Sequence, residues 1–588
     1  MAATNISDKS PLVNDDSDAN AISHYSSLSI NPDIEAKKRL TPPTPPTTPP
    51  SLLPSGRLHT RLSLLCILFC ELCERLTFYS ISGNLVLFCT SELGFTSDSA
   101  ATISLVFSGT AFFSPVFGGW FADSIAGKYN TIYGGLLVYI IGAALLPIIS
   151  IHYEDINPNL SLSDSAKQGY FIFALVTIAI GTGGIKANVG PFGAQQLDNA
   201  GEKAVQIFFN WFYWFINVGT VLSFSFVVFV QQTYGFALGY TIPAVSIVIS
   251  LVLLLVGKTL YILRPPEGSP MTTVTKVVVS GVSQCGHPNE TDPEPDTVES
   301  CIDHVKERHG GMFPDQTVED VKTLGGILPI FATIIFYWTV NFQTQTTFIL
   351  QGERLKLKYG EFTLPVASLN LFSSISILLL IPVVDRLIYP VFEELGKPLK
   401  LLQRIGIGMV LVSIAAVIAA IVEMSRKNIM QEGGWEVQIL AGESFNASTL
   451  SVFVQIPEYM LVGASEVFTS IAGLEFAYSQ SPTYMQGIVM GMWLATIGLG
   501  NYVGSLYVTI VNSVTRELGV VWFPDEINDG YLEYYFFLIA GINLIDFGIF
   551  LLIAKRYNYV KQNDPDIDTM TDREGERTRE LGTDQRIQ

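Results

Sequence analysis

The chain has 588 residues, 49% of them hydrophobic and only 15% charged, with a formal net charge of −19. So apolar a chain of this length is a polytopic membrane protein rather than a soluble one. The negative balance, carried mostly by tails and loops, argues against nucleic acid as a partner.

Residues 1–60 read as a disordered, Pro-rich cytosolic tail. Met1 to Ser55 contains no apolar core of about 7–15 residues, so no cleavable secretory signal is expected and the first span directs insertion. Leu40 to Pro50 is dense in proline and favours extended polyproline II. Arg39 with Pro42 and Pro45 loosely fits an SH3 ligand, and Asp8-Lys9-Ser10-Pro11-Leu12-Val13 resembles an acidic dileucine sorting signal.

Twelve apolar segments follow, near 62–90, 99–122, 130–151, 169–191, 204–231, 238–263, 325–350, 363–388, 400–424, 450–479, 485–513 and 531–556. Each is long enough to cross a bilayer as a helix. They divide six and six around a polar cytosolic linker, 264–322, giving bundles at 61–263 and 323–556 and a cytosolic tail at 557–588. The expected fold is an all-α membrane protein with the layout of a major facilitator transporter, its site between the halves near mid-membrane.

Glu71, Glu74 and Arg75 interrupt the first span. A central charge costs roughly 2.5–3.5 kcal/mol to insert. The spacing lowers that cost: Glu71 and Arg75 are four apart, Glu71 and Glu74 three apart, so all three share a face and can pair, and Tyr79 extends that face. A purely structural salt bridge is the alternative to a proton and substrate site; intramembrane ionisable residues favour the site. Cys66, Cys70, Cys73 and Cys89 beside them read as small buried hydrophobes.

Span two ends at Gly118-Gly119-Trp120-Phe121-Ala122-Asp123, a glycine-assisted turn that resembles the major facilitator loop between spans two and three, a resemblance that implies a cytosolic gating role for Asp123. Span four carries Gly181-Thr182-Gly183-Gly184-Ile185-Lys186; the lysine either snorkels to the nearby interface or stands as a fixed cation in a cavity. In span five Asn210 and Asn217 share one face of an aromatic helix. In the linker, Cys285 and Cys301 lie near His287 and His304, but their spacing fits no standard zinc site and no metal is expected.

The second half places Tyr337, Trp338, Asn341 and Phe342 in span seven, Asn370 and Asp385 in span eight, Glu466 mid-way along span ten and Trp493 in span eleven. Glu475, nearer the cytosolic end of span ten, is expected to pair structurally. Cations come from the first half and an anion from the second, which suits a zwitterion of amino-acid or peptide kind.

Two signals set the topology. Lys37, Lys38, Arg39, Arg57 and Arg61 precede span one, and Lys555, Arg556 and Lys561 follow span twelve, so both termini are expected in the cytosol. Sequons at Asn159 and Asn446 then fall in non-cytosolic loops as glycosylation sites, whereas Asn5 and Asn289 stay unused. Arg426 and Lys427 fall on the wrong side for this rule.

These strings together resemble the proton-coupled oligopeptide transporter family of the major facilitator superfamily, over about residues 62–560. The family's first-span motif, E-x-x-E-R-F-x-Y-Y, is present as Glu71, Glu74, Arg75 and Tyr79, with Leu76 and Phe78 in place of two aromatics. Phe212-Tyr213 through Asn217-Val218-Gly219 and Glu475-Phe476-Ala477-Tyr478-Ser479-Gln480 are similar to its span-five and span-ten patterns. Asn84-Leu85-Val86-Leu87-Phe88, Lys186-Ala187-Asn188 and Phe209-Asn210-Trp211-Phe212-Tyr213-Trp214 resemble the animal peptide/histidine branch.

The resemblance implies symport of protons with histidine and di- or tripeptides, without a bound cofactor and without enzymatic activity. Glu71, Glu74 and Arg75 would relay the proton, Arg75 and Lys186 would face the substrate carboxylate, and Glu466 its amino terminus. Tyr79, Asn217, Tyr337, Trp338 and Trp493 would line the pocket. Two departures stand out: span two has no histidine, and Phe342 stands where the classical animal carriers have an acid. The expected membrane is endosomal or lysosomal, with the plasma membrane as alternative. A carrier of another anion such as nitrate, and a scaffold recruiting cytosolic adaptor or sorting proteins, are the rival functions.

Overall fold

Inside a bilayer no water satisfies backbone N–H and C=O groups, so long apolar runs close their hydrogen bonds within helices. The computed structural model describes residues 57–151, 163–197, 202–266, 268–284, 300–440, 443–482, 485–524 and 526–559. Among them, eleven helices are long and apolar enough to cross a membrane. They are spans two to six, Ser97–Ala126, Lys128–Ile149, Asp164–Gln195, Lys203–Tyr234 and Phe236–Thr259, and spans seven to twelve, Asp315–Glu353, Val366–Glu394, Leu401–Gln431, Val452–Ser479, Gln486–Glu517 and Leu532–Arg556. Span one, Arg57–Gly83, is 27 residues long and carries the three charges that make it less apolar.

The run expected at 62–90 is two helices, because Asn84 breaks it before Leu85–Ser91. Its side-chain amide donates to Gln231 Oε1 (2.8 Å) and Val228 O (3.3 Å), and its oxygen accepts from Gln232 (2.9 Å). The polar bonding holds the end of span one against the far end of span five.

The N-terminal proline run and sorting motif, Asn5, Asn159, Cys285, His287, Asn289 and Lys561 lie outside the described residues, as do the side chains of Arg57 and Asp385. Cys301 is disulfide-bonded, which removes its thiolate from any metal site. Asn446 lies exposed in a hairpin after span nine, where β1 (Trp435–Leu440) pairs antiparallel with β2 (Glu443–Ser448). Arg426 and Lys427 are not free basic residues: Arg426 is buried on Glu423 (2.5 Å) and Lys427 pairs with Glu533 (3.0 Å). Glu475 pairs with Arg404 (3.6 Å).

The linker holds more order than its polarity announces. A helix, Pro270–Gln284, turns Val277 onto Val305, Val318, Val321 and Met485. The helix of span seven begins at Asp315, so the expected boundary at 322 falls inside it. Lys306 bridges Asp303 (2.5 Å) and Glu319, and Lys322 adds a second cation to Asp303 (3.0 Å). Burial alone would raise the Asp303 carboxyl, but the two ammonium groups outweigh it and hold the group well below the usual carboxylate range.

The halves meet along spans two and eleven. A Cβ on Gly109 would lie 3.1 Å from the Gly498 carbonyl, and one on Gly498 2.8 Å from the Gly109 carbonyl, so the two glycines allow backbone contact across the halves. At the end away from the linker, Asn512 donates to Asp98 (2.7 Å) and Ser368 donates to the Phe224 carbonyl (2.7 Å). That carbonyl belongs to a π-turn, Ser223–Val227, of span five. Phe229 and Phe362 stack there at 5.9 Å.

Candidate functional site

Span one sets the first wall. Arg75 Nε lies 3.1 Å from Glu71 Oε1, and its Nη2 contacts Glu74 Oε2. These are charge contacts rather than aligned hydrogen bonds, since neither nitrogen meets hydrogen-bond geometry. Glu74 is fully buried, Glu71 3% exposed and Arg75 7%, so the carboxylates sit behind the guanidinium and Arg75 forms their edge. Packing explains the placement: Gly219 of span five would bring a Cβ to 3.0 Å from Arg75 Cβ, so only glycine lets the two helices close at this level. On the other side Thr77 and Ser246 bind the Cys73 carbonyl (2.7 and 3.3 Å), tying span one to span six.

Lys186 does not snorkel. Its ammonium sits between two rings, 3.8 Å from the Phe78 centroid and 3.6 Å from the Phe112 centroid, and has no hydrogen-bond partner among the described residues. Two aromatic faces offer a cation electrostatic stabilisation without neutralising it. Arg75 is engaged by two carboxylates and Lys186 by none, so Lys186 is the cation left available to an incoming anion.

The same aromatics reach across to the second half. Phe112 contacts Phe342 (5.6 Å), Phe342 packs on Trp338 (6.1 Å), and Trp338 meets Trp493 (6.2 Å) and Tyr337 (5.1 Å). The Phe342 departure from an acid therefore replaces a charge at the junction with a ring in this bridge. Trp338 carries an indole N–H without a partner among the described residues. Beyond it Glu466, half-buried, accepts from Asn341 (2.9 Å), and a π-turn, Val467–Ile471, follows directly. Such turns recur where a helix must aim a functional group.

The other expected residues divide by depth. Tyr79 is half-buried against Phe78 (5.4 Å) and Phe224 (5.6 Å), on the side facing the second half. Asn217 is half-buried and spends its amide on the Tyr213 carbonyl of its own helix (2.8 Å). Tyr337 is fully buried with its hydroxyl on Ser465 (3.0 Å), and Trp493 is 2% exposed, so both support the wall from behind. Asn370 binds the Ala367 carbonyl (3.1 Å). Asp123 lies apart from this group, where its carbonyl accepts the Gly268 N–H (3.0 Å) and fastens the turn after span two to the start of the linker. The roles of Phe78 and Phe112 were missed in the sequence, because an aromatic in an apolar run reads as core.

The geometry is thus a cation held ready on one half and a carboxylate on the other, joined by aromatic faces, with a guanidinium–carboxylate triad behind the cation. Residues 129–523 match the POT family. The chain is 33% identical over 536 residues to protein NRT1/PTR FAMILY 8.1 of Arabidopsis thaliana, covering 84% of this chain and 92% of that one. It is 30% identical over 541 residues to solute carrier family 15 member 3 of Mus musculus, covering 86% and 93%. Among solved structures it is similar to the POT family transporter PepTSo, with a TM-score of 0.67 and 26% identity over 84% of this chain and 98% of that one. An auto-inhibited POT family peptide transporter shares the fold with a TM-score of 0.68 at 24% identity, covering 86% and 98%. The chain belongs to the POT family: it is a proton-coupled transporter of major facilitator fold, a membrane carrier rather than an enzyme, which works on the proton gradient with no bound cofactor.

Proposed function

We propose that the chain carries histidine and di- or tripeptides together with protons, from an acidic endolysosomal lumen to the cytosol, by alternating access. The observation that carries this reading is a Lys186 ammonium on one half, without a hydrogen-bond partner among the described residues, and an Asn341-bound Glu466 carboxylate on the other, with the Phe112–Phe342–Trp338 rings bridging the halves. A zwitterion presents a carboxylate to one and an ammonium to the other; the aromatic faces and the free Trp338 indole N–H suit an imidazole or a peptide side chain.

In this mechanism a proton from the acidic side neutralises one carboxylate of the Glu71/Glu74 pair. Arg75 loses part of its hold, turns toward the site and joins Lys186 on the substrate carboxylate. The Asp98–Asn512 and Ser368–Phe224 contacts keep the side away from the linker closed, so release runs toward the linker side. Cytosolic termini place that side in the cytosol and Asn446 in the lumen, where its exposed position suits a glycan. Each pH unit across the membrane supplies about 1.4 kcal/mol per proton, roughly tenfold in accumulation.

The test is uptake of radiolabelled histidine and a dipeptide into proteoliposomes, with and without an acid-outside gradient. Accumulation that rises with the gradient and is mutually competed supports the reading; uptake of nitrate with no competition by either compound would overturn it. A carrier of a lone anion has no use for Glu466 across from the cation.

A further inference from the structure

A cavity lined by none of the charged-site residues lies between the start of span nine (Leu401–Gln431) and the end of span twelve (Leu532–Arg556). Its volume is about 820 Å³. We infer that this groove holds one anionic phospholipid, its head group on Lys400 and Lys555 and an acyl chain along the trough below.

The two ends of the groove differ in chemistry. One end has the exposed ammonium groups of Lys400 and Lys555, with Gln403 between them. Neither lysine pairs with a carboxylate among the described residues. Lys400 also stands at the N-terminus of a 31-residue helix, whose dipole adds positive potential. Below this end the walls are apolar: Ile407, Val410 and Leu411 from span nine, Phe547, Phe550 and Leu551 from span twelve. Gly406 forms the trough, because a Cβ there would already lie 3.2 Å from Phe547 and 3.4 Å from Phe550. Tyr557 and Tyr559 stand at the rim, where amphipathic rings mark the membrane–water boundary, and the Leu402 N–H donates to the Tyr559 hydroxyl (3.4 Å).

The dimensions fit one leaflet. Lys400 to Leu411 spans eleven residues, about 16 Å of helix, against a hydrocarbon leaflet of about 15 Å. An acyl chain fills an apolar channel of that depth while its phosphate stays level with the lysines. Two ammonium groups at one head-group position select a net negative lipid over a zwitterionic one, since anionic lipid is drawn to juxtamembrane lysines. The chain's own C-terminal residues 560–588 are a poor occupant by sequence: they are rich in Asp, Glu and Arg and have no apolar run.

The inference does not depend on what the carrier transports. It is tested by native mass spectrometry of the full-length purified chain with added phosphatidylglycerol or phosphatidylcholine of identical acyl chains. The wild type is expected to keep one phosphatidylglycerol per chain in preference to phosphatidylcholine. K400Q/K555Q should lower that preference by roughly five-fold per lysine, leaving phosphatidylcholine binding unchanged. Gly406→Val, which fills the trough, should lose both lipids; a thermal melt equal to that of the wild type shows that it folds. An undiminished preference in the double lysine variant overturns the inference, and so does a dimer that forms on delipidation and covers the groove with a second copy.

Discussion

Two clusters of buried charge lie in the two halves, and they are built to opposite rules. In span one, Glu71, Glu74 and Arg75 are held by charge contacts without aligned hydrogen bonds. In the second half, Glu423 takes two contacts from Arg426 (2.5 and 3.0 Å) and a third from Gln351 (3.0 Å). Gln351 also binds the Ala419 carbonyl (2.9 Å), Gln455 bonds to Gln351 and Glu458 (3.0 Å each), and Arg426 reaches Asn528. The second cluster fastens spans seven, nine and ten to the loop before span twelve. A buried ion pair bonded on all sides locks packing; one with poor alignment and a spare cation nearby is free to exchange partners. On the proposed reading the difference separates structural charges from working ones, although both are equally improbable in a membrane.

Substitutions can break that contrast. The largest expected effect is in the second cluster: Arg426→Met leaves Glu423 buried and unpaired, costing about 3–5 kcal/mol. Thermal unfolding in detergent should fall sharply, and the paired replacement of Glu423 and Arg426 by Gln and Met should recover most of it. Should R426M instead melt like the wild type while transport is lost, the two clusters would have been assigned the wrong way round.

Glu74→Gln addresses the first cluster. It keeps the shape and removes the charge, so the fold should survive with little change in melting. Acid-driven uptake should lose its response to the gradient, falling from about tenfold per pH unit toward no dependence, while exchange without a gradient continues. Proteoliposome uptake at two imposed gradients measures both.

Why one cluster announced itself and the other did not is a matter of depth along the chain. Glu71, Glu74 and Arg75 interrupt an apolar run near its centre, and Lys186 and Glu466 also stand well inside their segments, so composition alone exposes them. Arg426 lies close to the end of span nine, where a basic residue reads as a topology signal; only its burial on Glu423 shows otherwise. The fold was legible because twelve runs and one long polar interval admit few arrangements. The ring pair around Lys186 was not, since Phe78 and Phe112 are 34 residues apart on different helices and each looks like core. Tyr337 and Trp493 illustrate the converse: helical spacing puts them on the correct face, but only packing shows that Ser465 and Gly473 draw them behind the wall.

A smaller effect belongs to the wall opposite Lys186. Glu466→Gln keeps the Asn341 contact but removes the charge that meets an ammonium, an interaction worth about 1.5–3 kcal/mol. The half-saturating concentration for histidine and dipeptides should rise by about tenfold or more, while the gradient response per pH unit stays as in the wild type. That split distinguishes a substrate carboxylate from a proton-coupling one. Phe112→Leu should weaken binding by a smaller factor, about two- to thirty-fold, because one of two cation–π faces is lost and the lysine remains.

The smallest expected effect lies outside the membrane, and pH sets its sign. Asp303 is held below the ordinary carboxylate range by Lys306 and Lys322, and Glu319 is lowered chiefly by its hydrogen bond from Lys306. A carboxylate depressed in the folded state contributes stability that is present above its unfolded value, about 4, and is lost as pH falls through the folded value. The linker cluster should therefore be insensitive to pH across the neutral range and loosen only in strong acid. Hydrogen exchange of the Pro270–Gln284 helix reads this directly: protection should hold from pH 7 to about 5 and decline below about 4. Lys306→Met should shrink the pH step and loosen the helix at neutral pH, because Asp303 and Glu319 lose the buried one of their two shared cations and keep only Lys322. If protection instead declined near pH 6, with these carboxylates still ionised, the linker would be fastened to span seven by the Val277–Val318 packing and another titrating group rather than by this ion cluster.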